Sequence, residues 1–301
     1  MKVLCAVDGS EFARWGVEAV GAFTGRLPET LVLLHAMDTT ALKAARRTRP
    51  SQMARTLRAF EREGRRLLDR MQQTAKAAVS EATTAPRTKI LTALVQGPAA
   101  EAIVAQSARK RATLVIVGSR GLSDIQHFLL GSISRKVVAL ASSPVLVVKR
   151  PMRTLERVVL AVDTSKHSRA AVDFLLSGFL PESAHVTLLS VVPPVVTDLA
   201  ARVLPAGELE QLLAPARIRA QELVAQFREL FLKEGYAVST DVLDGHPSQS
   251  IVSFAEKTRA DLIVVGSRGL TGSERILLGS VSESVVKYAP CSVLVVHRAR
   301  T

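Results

Sequence analysis

Two stretches of this chain set residues at a spacing that suits an anion. The first runs Val117-Gly118-Ser119-Arg120-Gly121 and, nine residues later, Gly131-Ser132-Ile133-Ser134. The second runs Val265-Gly266-Ser267-Arg268-Gly269 and, again nine residues later, Gly279-Ser280-Val281-Ser282. Residues 114–148 and 262–296 align without a gap and are identical at 19 of 35 positions. Glycines let a backbone turn sharply and approach a ligand with no Cβ in the way. A helix opened by Gly-Ser adds unpaired N–H groups and the positive end of its dipole, both of which attract phosphate. Ser132 and Ser280, read as N-caps, offer a hydroxyl to the helix or to the ligand. A glycine-rich turn that merely joins strand to helix would explain one copy; two copies at one spacing favour the anion.

These loops need a scaffold, and the pattern supplies one. Val3–Val7 and Leu31–Ala36 are short apolar runs of the kind that form buried parallel strands. Ser10 is placed to cap a helix over about 11–24, with Phe12, Trp15, Val20 and Phe23 among its apolar positions. A long helix is expected from about 52 to 80, where Leu57, Phe60, Gly64, Leu67, Met71, Ala75 and Ala78 recur at spacings of three and four. A strand over 88–95, a helix over 99–110, a strand over 114–117, the glycine loop, a helix over 132–141 and a strand over 145–148 complete the half. The alternation predicts an α/β fold with a mostly parallel sheet and helices on both faces.

The pattern restarts at Arg157, where Val158–Ser165 matches Val3–Ser10. Two domains of one fold are therefore expected, at 1–149 and 155–301, joined by a short linker. In such sheets ligands bind at the carboxyl ends of the strands, where strand order reverses. Asp8 and Asp163 close the first strand of each half and so stand at that mouth. A carboxylate there suits a ribose hydroxyl pair, while an Asx turn or a helix cap would use the same residue. A nucleotide joins these readings: phosphates on the glycine loop and helix, ribose by the aspartate, base against the second strand.

Catalytic signals are weaker. There is no G-x-x-x-x-G-K-[ST] and no strand-linked G-x-G-x-x-G. Lys136, preceded by Arg135, is the only lysine close behind a motif, and Glu283 and Ser284 stand there in the second half. Of the six histidines, His127 has Arg275 as its counterpart, and His35 and His246 lie near the cleft mouths without a matched partner. His167, His185 and His297 read as surface or loop residues.

These motifs, with Leu34-His35-Ala36 and the final strand Ala289-Pro-Cys-Ser-Val-Leu-Val-Val296, resemble the universal stress protein family along essentially the whole chain. The resemblance implies two tandem Rossmann-like domains of the adenine-nucleotide α-hydrolase type, each a five-stranded parallel sheet of order 3-2-1-4-5. It implies ATP, accompanied by Mg²⁺ but with no metal cluster of the protein's own, held by Gly118, Ser119, Arg120, Gly121, Gly131, Ser132 and Ile133. The matching residues are Gly266, Ser267, Arg268, Gly269, Gly279, Ser280 and Val281. Asp8 and Asp163 would face the ribose, and the backbone at Ala36 and Val191 the adenine. It further implies pairing of the two halves through their last strands, and a homodimer. The function it implies is nucleotide-dependent signalling in stress. A slow ATPase or nucleotidyl transferase is the enzymatic alternative, although neither half offers a matched general base or a lysine clamp.

The bulk numbers set the remaining expectations. The net charge of +13 suits acidic partners. Residues 46–70 hold nine arginines against Glu61, Glu63 and Asp69, whereas 206–234 holds four basic residues against five acids. The arginine-rich helix is either a solvated face or a dock for an acidic protein; without aromatic interleaving, nucleic acid is the less expected partner. Cys5 and Cys291 each lie in an apolar run, as small core residues in a reducing compartment. A charge arrives at Asp8 after only five apolar residues, too soon for a signal segment, and no apolar run is long enough to span a membrane. A cytoplasmic protein is expected.

Overall fold

The computed structural model describes residues 1–22, 27–39, 50–83, 87–122, 130–194, 206–269 and 278–298. Phe23, His127, Arg275 and the arginines at 46, 47 and 49 lie outside these residues. The chain divides into two compact units, Met1–Thr154 and Leu155–Arg298.

The first unit runs β1 (Lys2–Ala6), α1 (Glu11–Glu18), β2 (Thr30–Met37), α2 (Pro50–Ala82), β3 (Lys89–Gln96), α3 (Ala99–Arg109), β4 (Leu114–Gly118), α4 (Ser132–Leu140) and β5 (Val145–Val148). All its pairings are parallel, in the order β3-β2-β1-β4-β5, so β1 lies between β2 and β4. That arrangement is the order 3-2-1-4-5. The switch point falls between β1 and β4, where Cys5 sits beside Ile116. Helices α1 and α2 pack together, as do α3 and α4. With helices over both faces, the inner strands need no polar alternation. Leu4, Leu31, Leu33, Leu114, Ile116 and Leu146 are accordingly fully buried.

The second unit repeats the plan with β6 (Arg157–Ala161), α5 (Lys166–Phe174), β7 (His185–Val192), α6 (Ala206–Lys233), β8 (Ala237–Asp244), α7 (Pro247–Lys257), β9 (Leu262–Gly266), α8 (Ser280–Tyr288) and β10 (Ser292–Val296). Its order β8-β7-β6-β9-β10 is again fully parallel.

Two expectations about helix ends needed correction. The first helix stops at Glu18 and tightens into a single 3₁₀ turn at Ala19–Gly21 instead of reaching 24. At Gly21 the chain presses on α2 so closely that a Cβ would lie 2.7 Å from the Ala78 carbonyl oxygen. Ser132 and Ser280 are not caps: Gly131 and Gly279 hold the N-cap positions, and the serines are the first helical residues. Ser10 caps α1 as its position predicts, accepting from the Ala13 N–H at 3.2 Å. Cys5 and Cys291 are fully buried, and among the described residues no helix is long and apolar enough to cross a membrane.

Candidate functional site

In the first unit a cavity of about 300 Å³ opens at the carboxyl ends of β1, β2 and β4. It lies at the lower edge of the size range of small-molecule sites. Asp8, Ala36, Gly118, Arg120, Gly121, Ser132 and Ile133 all line it. The chain thus brings together seven of the nine residues that the motifs single out in this half.

The two others do a different job. Ser119 is 2% exposed. Its N–H donates to the Val148 carbonyl, and its own carbonyl accepts from the Gly131 N–H at 2.7 Å. Ser119 therefore extends β4 and closes the nine-residue loop, with both backbone groups engaged. Ser267 repeats this with Val296 and Gly279 in the second unit. Gly131 is buried at the other end of the same link.

The aspartate is an organiser of the loop. Asp8 Oδ1 accepts from the Ser10 N–H at 2.9 Å and the Ser10 hydroxyl at 2.6 Å, and Oδ2 accepts from the Leu122 N–H at 3.3 Å. These are the bonds of an Asx turn plus one strut to the glycine loop. A carboxylate has about four acceptor positions, so Asp8 keeps capacity for a ribose hydroxyl. Asp163 accepts from the Ser165 N–H at 3.0 Å and the Ser168 hydroxyl at 2.6 Å. Gly269 makes room for its other oxygen: a Cβ there would lie 2.9 Å from Asp163 Oδ2.

The leading glycine of each motif serves packing. Among the described motif glycines none has a positive φ, so none is required for a left-handed turn. A Cβ on Gly118 would meet the Phe12 Cβ at 2.8 Å and its carbonyl carbon at 2.9 Å. On Gly266 it would meet the His167 carbonyl carbon at 2.8 Å. These glycines let the helix after the first strand lie against β4 or β9.

Helix α4 supplies the anion-binding features. Its N-cap Gly131 contributes no side-chain hydrogen bond, so among the described residues the first-turn N–H groups of Ser132 and Ile133 have no side-chain capping partner. Together with the dipole they form a phosphate-sized donor site. Ser134 fixes where it points, its hydroxyl donating to the Gly118 carbonyl at 2.5 Å; Ser282 does the same to Gly266 at 2.6 Å. The second serine of G-S-x-S stands in both copies, and that identity was the signal for this clamp. Lys136 reaches away to Glu101 on α3, at 3.8 Å.

The arginines of the two motifs differ in surroundings. Arg120 places its guanidinium carbon 4.5 Å from the Phe12 ring centroid. In the second unit His167 occupies the Phe12 position, on the first turn of α5, half-buried, with Nδ1 3.1 Å from the Ser267 hydroxyl. That placement corrects the reading of His167 as a surface or loop residue. The ring's relevant neighbour is a hundred positions away, out of reach of local pattern. Burial, then the charges of Arg268 and Arg298, hold its pKa below the ordinary histidine value, against a smaller opposing pull from Asp163. The Arg268 Nε–H is buried and has no hydrogen-bond acceptor among the described residues. A buried donor left unmatched among the described residues, beside the start of a helix, suits an anionic oxygen.

His35, unmatched in the other half, lines the first cavity, and its Nδ1–H donates to the Val7 carbonyl at 2.7 Å. In the neutral ring, Nε2 is then the acceptor nitrogen. Ala99 and Ile103 of α3 add an apolar wall that the glycine motif does not announce. Val191 lies near the end of β7, beside Leu243. Gly279 of the second cradle stands close to Arg268, whose Cα would be 3.2 Å from an added Cβ. Ser280 opens α8, with Val281 next to it. Among the described residues no group of three or more His, Cys, Asp or Glu could hold a metal ion.

A family model described as the universal stress protein family matches residues 1–149 and again 154–297. A universal stress protein of Methanocaldococcus jannaschii is 45% identical over 98 residues, which are 32% of this chain and 58% of that protein. One from Synechocystis sp. is 30% identical over 153 residues, covering 47% of this chain and 97% of its own length. A solved universal stress protein from Archaeoglobus fulgidus has the same fold, with a TM-score of 0.67 at 23% identity over 99% of this chain and 96% of that one. With the family model matching nearly all of it in two copies, the chain belongs to the universal stress protein family.

Proposed function

We propose that each unit binds an adenine nucleotide, ATP in the first instance, and that the chain serves a stress response through nucleotide-dependent conformation or partner choice. The observation that carries this reading is the first-unit cavity, where an uncapped helix, two loop glycines, Arg120 and the Asp8 carboxylate converge. Phosphates fit the N–H groups of Ser132 and Ile133, and the ribose hydroxyls fit Asp8. The base fits against Ala36 and the apolar wall of Ala99 and Ile103. In the second unit Asp163, Val191, Arg268, Gly269, Ser280 and Val281 take the equivalent parts. Ser119 and Ser267 support the loop from behind and make no contact of their own. Mg²⁺, where present, arrives on the phosphates, since the described residues provide no cluster for it.

Denaturing the purified chain and identifying the released nucleotide tests this directly. About two ATP per chain is the expected result, and ADP or AMP would move the reading to the slow ATPase or nucleotidyl transferase. An empty protein that also failed to bind added ATP with Mg²⁺ would end it. Homodimer formation belongs to the same proposal, and sedimentation at several protein concentrations tests it.

A further inference from the structure

We propose that the outward face of α2 docks an acidic protein helix. Arg55, Arg58, Arg62 and Arg65 recur at spacings of three, four and three, and all four are exposed. That spacing places them on one stripe over about 15 Å of helix. The opposite side is the packed one, where Gly64, Leu67, Leu68 and Met71 are buried. Glu63 is occupied by Arg66 and Arg70, both at 3.6 Å, and Glu61 accepts from Gln96. Among the described residues the four stripe arginines have no acidic partner.

Local physics does not favour such a stripe. Like charges three and four residues apart on a helix repel each other, and cations belong near a helix's C-terminus. Here they occupy the N-terminal half, and the first turn contains no acid to offset them. Residues 39–60 contain no acid at all. The second unit treats the same helix differently. Arg217 of α6 takes Asp244 in a two-pronged pairing at 2.6–3.1 Å, and Glu210 at 2.8 Å. In one unit, then, carboxylates of the chain itself fill a guanidinium on this helix, and in the other four such groups stand open.

Carboxylates repeating at three- and four-residue intervals on a partner helix would match the stripe in both charge and spacing. A polynucleotide would be met through phosphates only. The exposed aromatic of α2, Phe60, faces the other way, lining a groove with Gly64 and Leu67, so the stripe has no ring for stacking a base. This inference is independent of the nucleotide reading.

The test is fluorescence anisotropy of the full chain with a labelled helical peptide carrying four glutamates at that spacing. The same peptide with glutamines and a 20-base-pair DNA duplex are the comparators. The expected result is binding of the glutamate peptide alone, weakening steeply with salt. Each exposed pair is worth about a factor of two to five, so Arg58→Gln with Arg62→Gln and Arg65→Gln should weaken binding about eightfold or more. Arg219→Gln, on the exposed face of α6, should leave it unchanged. Arg58→Glu with Arg62→Glu should transfer preference to a lysine peptide. Equal binding of the glutamine peptide, indifference to the triple substitution, or tighter binding of the duplex at equal salt would each overturn the proposal.

Discussion

The two glycine cradles share their backbone plan and differ in what stands behind the leading glycine. In the first, the ring of Phe12 lies edge-on to Trp15 at 4.8 Å and beneath the Arg120 guanidinium. In the second, the position belongs to His167, which bonds Ser267 and feels the charge of Arg268. One arginine thus rests on a π face whose attraction does not change with pH. The other faces a ring able to acquire charge. A duplicated site can keep each glycine and serine of its motif and still diverge through one residue on the neighbouring helix.

The largest expected effect breaks what the cradles have in common. Gly118→Val and Gly266→Val drive a side chain into backbone atoms less than 3 Å away. Each should destabilise its unit by about 1–3 kcal/mol or more, read as a lower urea midpoint. Gly269→Ala displaces only a carboxylate oxygen and should cost less; equal losses would remove the packing role assigned to the leading glycine.

Next come the aspartates. Asp8→Asn and Asp163→Asn should each weaken ATP at one site by about tenfold, close to 1.4 kcal/mol, with calorimetry on the full chain showing one strong site remaining. Two unchanged sites would reduce both residues to turn formers.

A smaller effect separates the cradles. His167 binds its proton more weakly in the folded chain than in the unfolded one. As pH falls through the ordinary histidine value of about 6.5, the unfolded chain takes up the proton first. Stability therefore falls with pH there and levels off once the folded group has titrated. Thermal midpoints between pH 7.5 and 5 should show this slope in the natural chain and lose it in His167→Phe. Bound phosphate offsets the two arginines and favours the protonated ring, so ATP at the second site should tighten as pH falls. Phe12→His should give the first site the same dependence. The smallest change is Phe12→Leu, which removes the Arg120 stacking and should cost about 0.5–1 kcal/mol.

Much of this is legible in the sequence alone. Apolar runs such as Leu31–Leu34 and Leu114–Val117 announce strands covered on both faces, because no polar alternation is needed there. The repeated glycine spacing located the cradle, and seven of its nine residues in the first half meet around one cavity. What escaped was set by contacts between distant parts of the chain. Glycine's lack of a side chain shows in sequence, but not that the space at Gly118 is filled by Phe12. The Gly-Ser pairs announced a helix start, yet the one-residue question of which of them caps it depends on backbone dihedrals. His167 belongs to no motif, and its importance arises from Ser267 and Arg268 at the end of β9, the strand on which α5 packs.

The burial of Cys5 has a chemical consequence. Its thiol, enclosed at the centre of the first sheet, has its pKa pushed up to about 12 by burial, which keeps it in the thiol form at neutral pH. Thiolate is the cysteine form that peroxides and alkylating agents attack, so Cys5 in the folded unit is silent toward both. Modification of Cys5 in a cell or a test tube would therefore record that its sheet had opened.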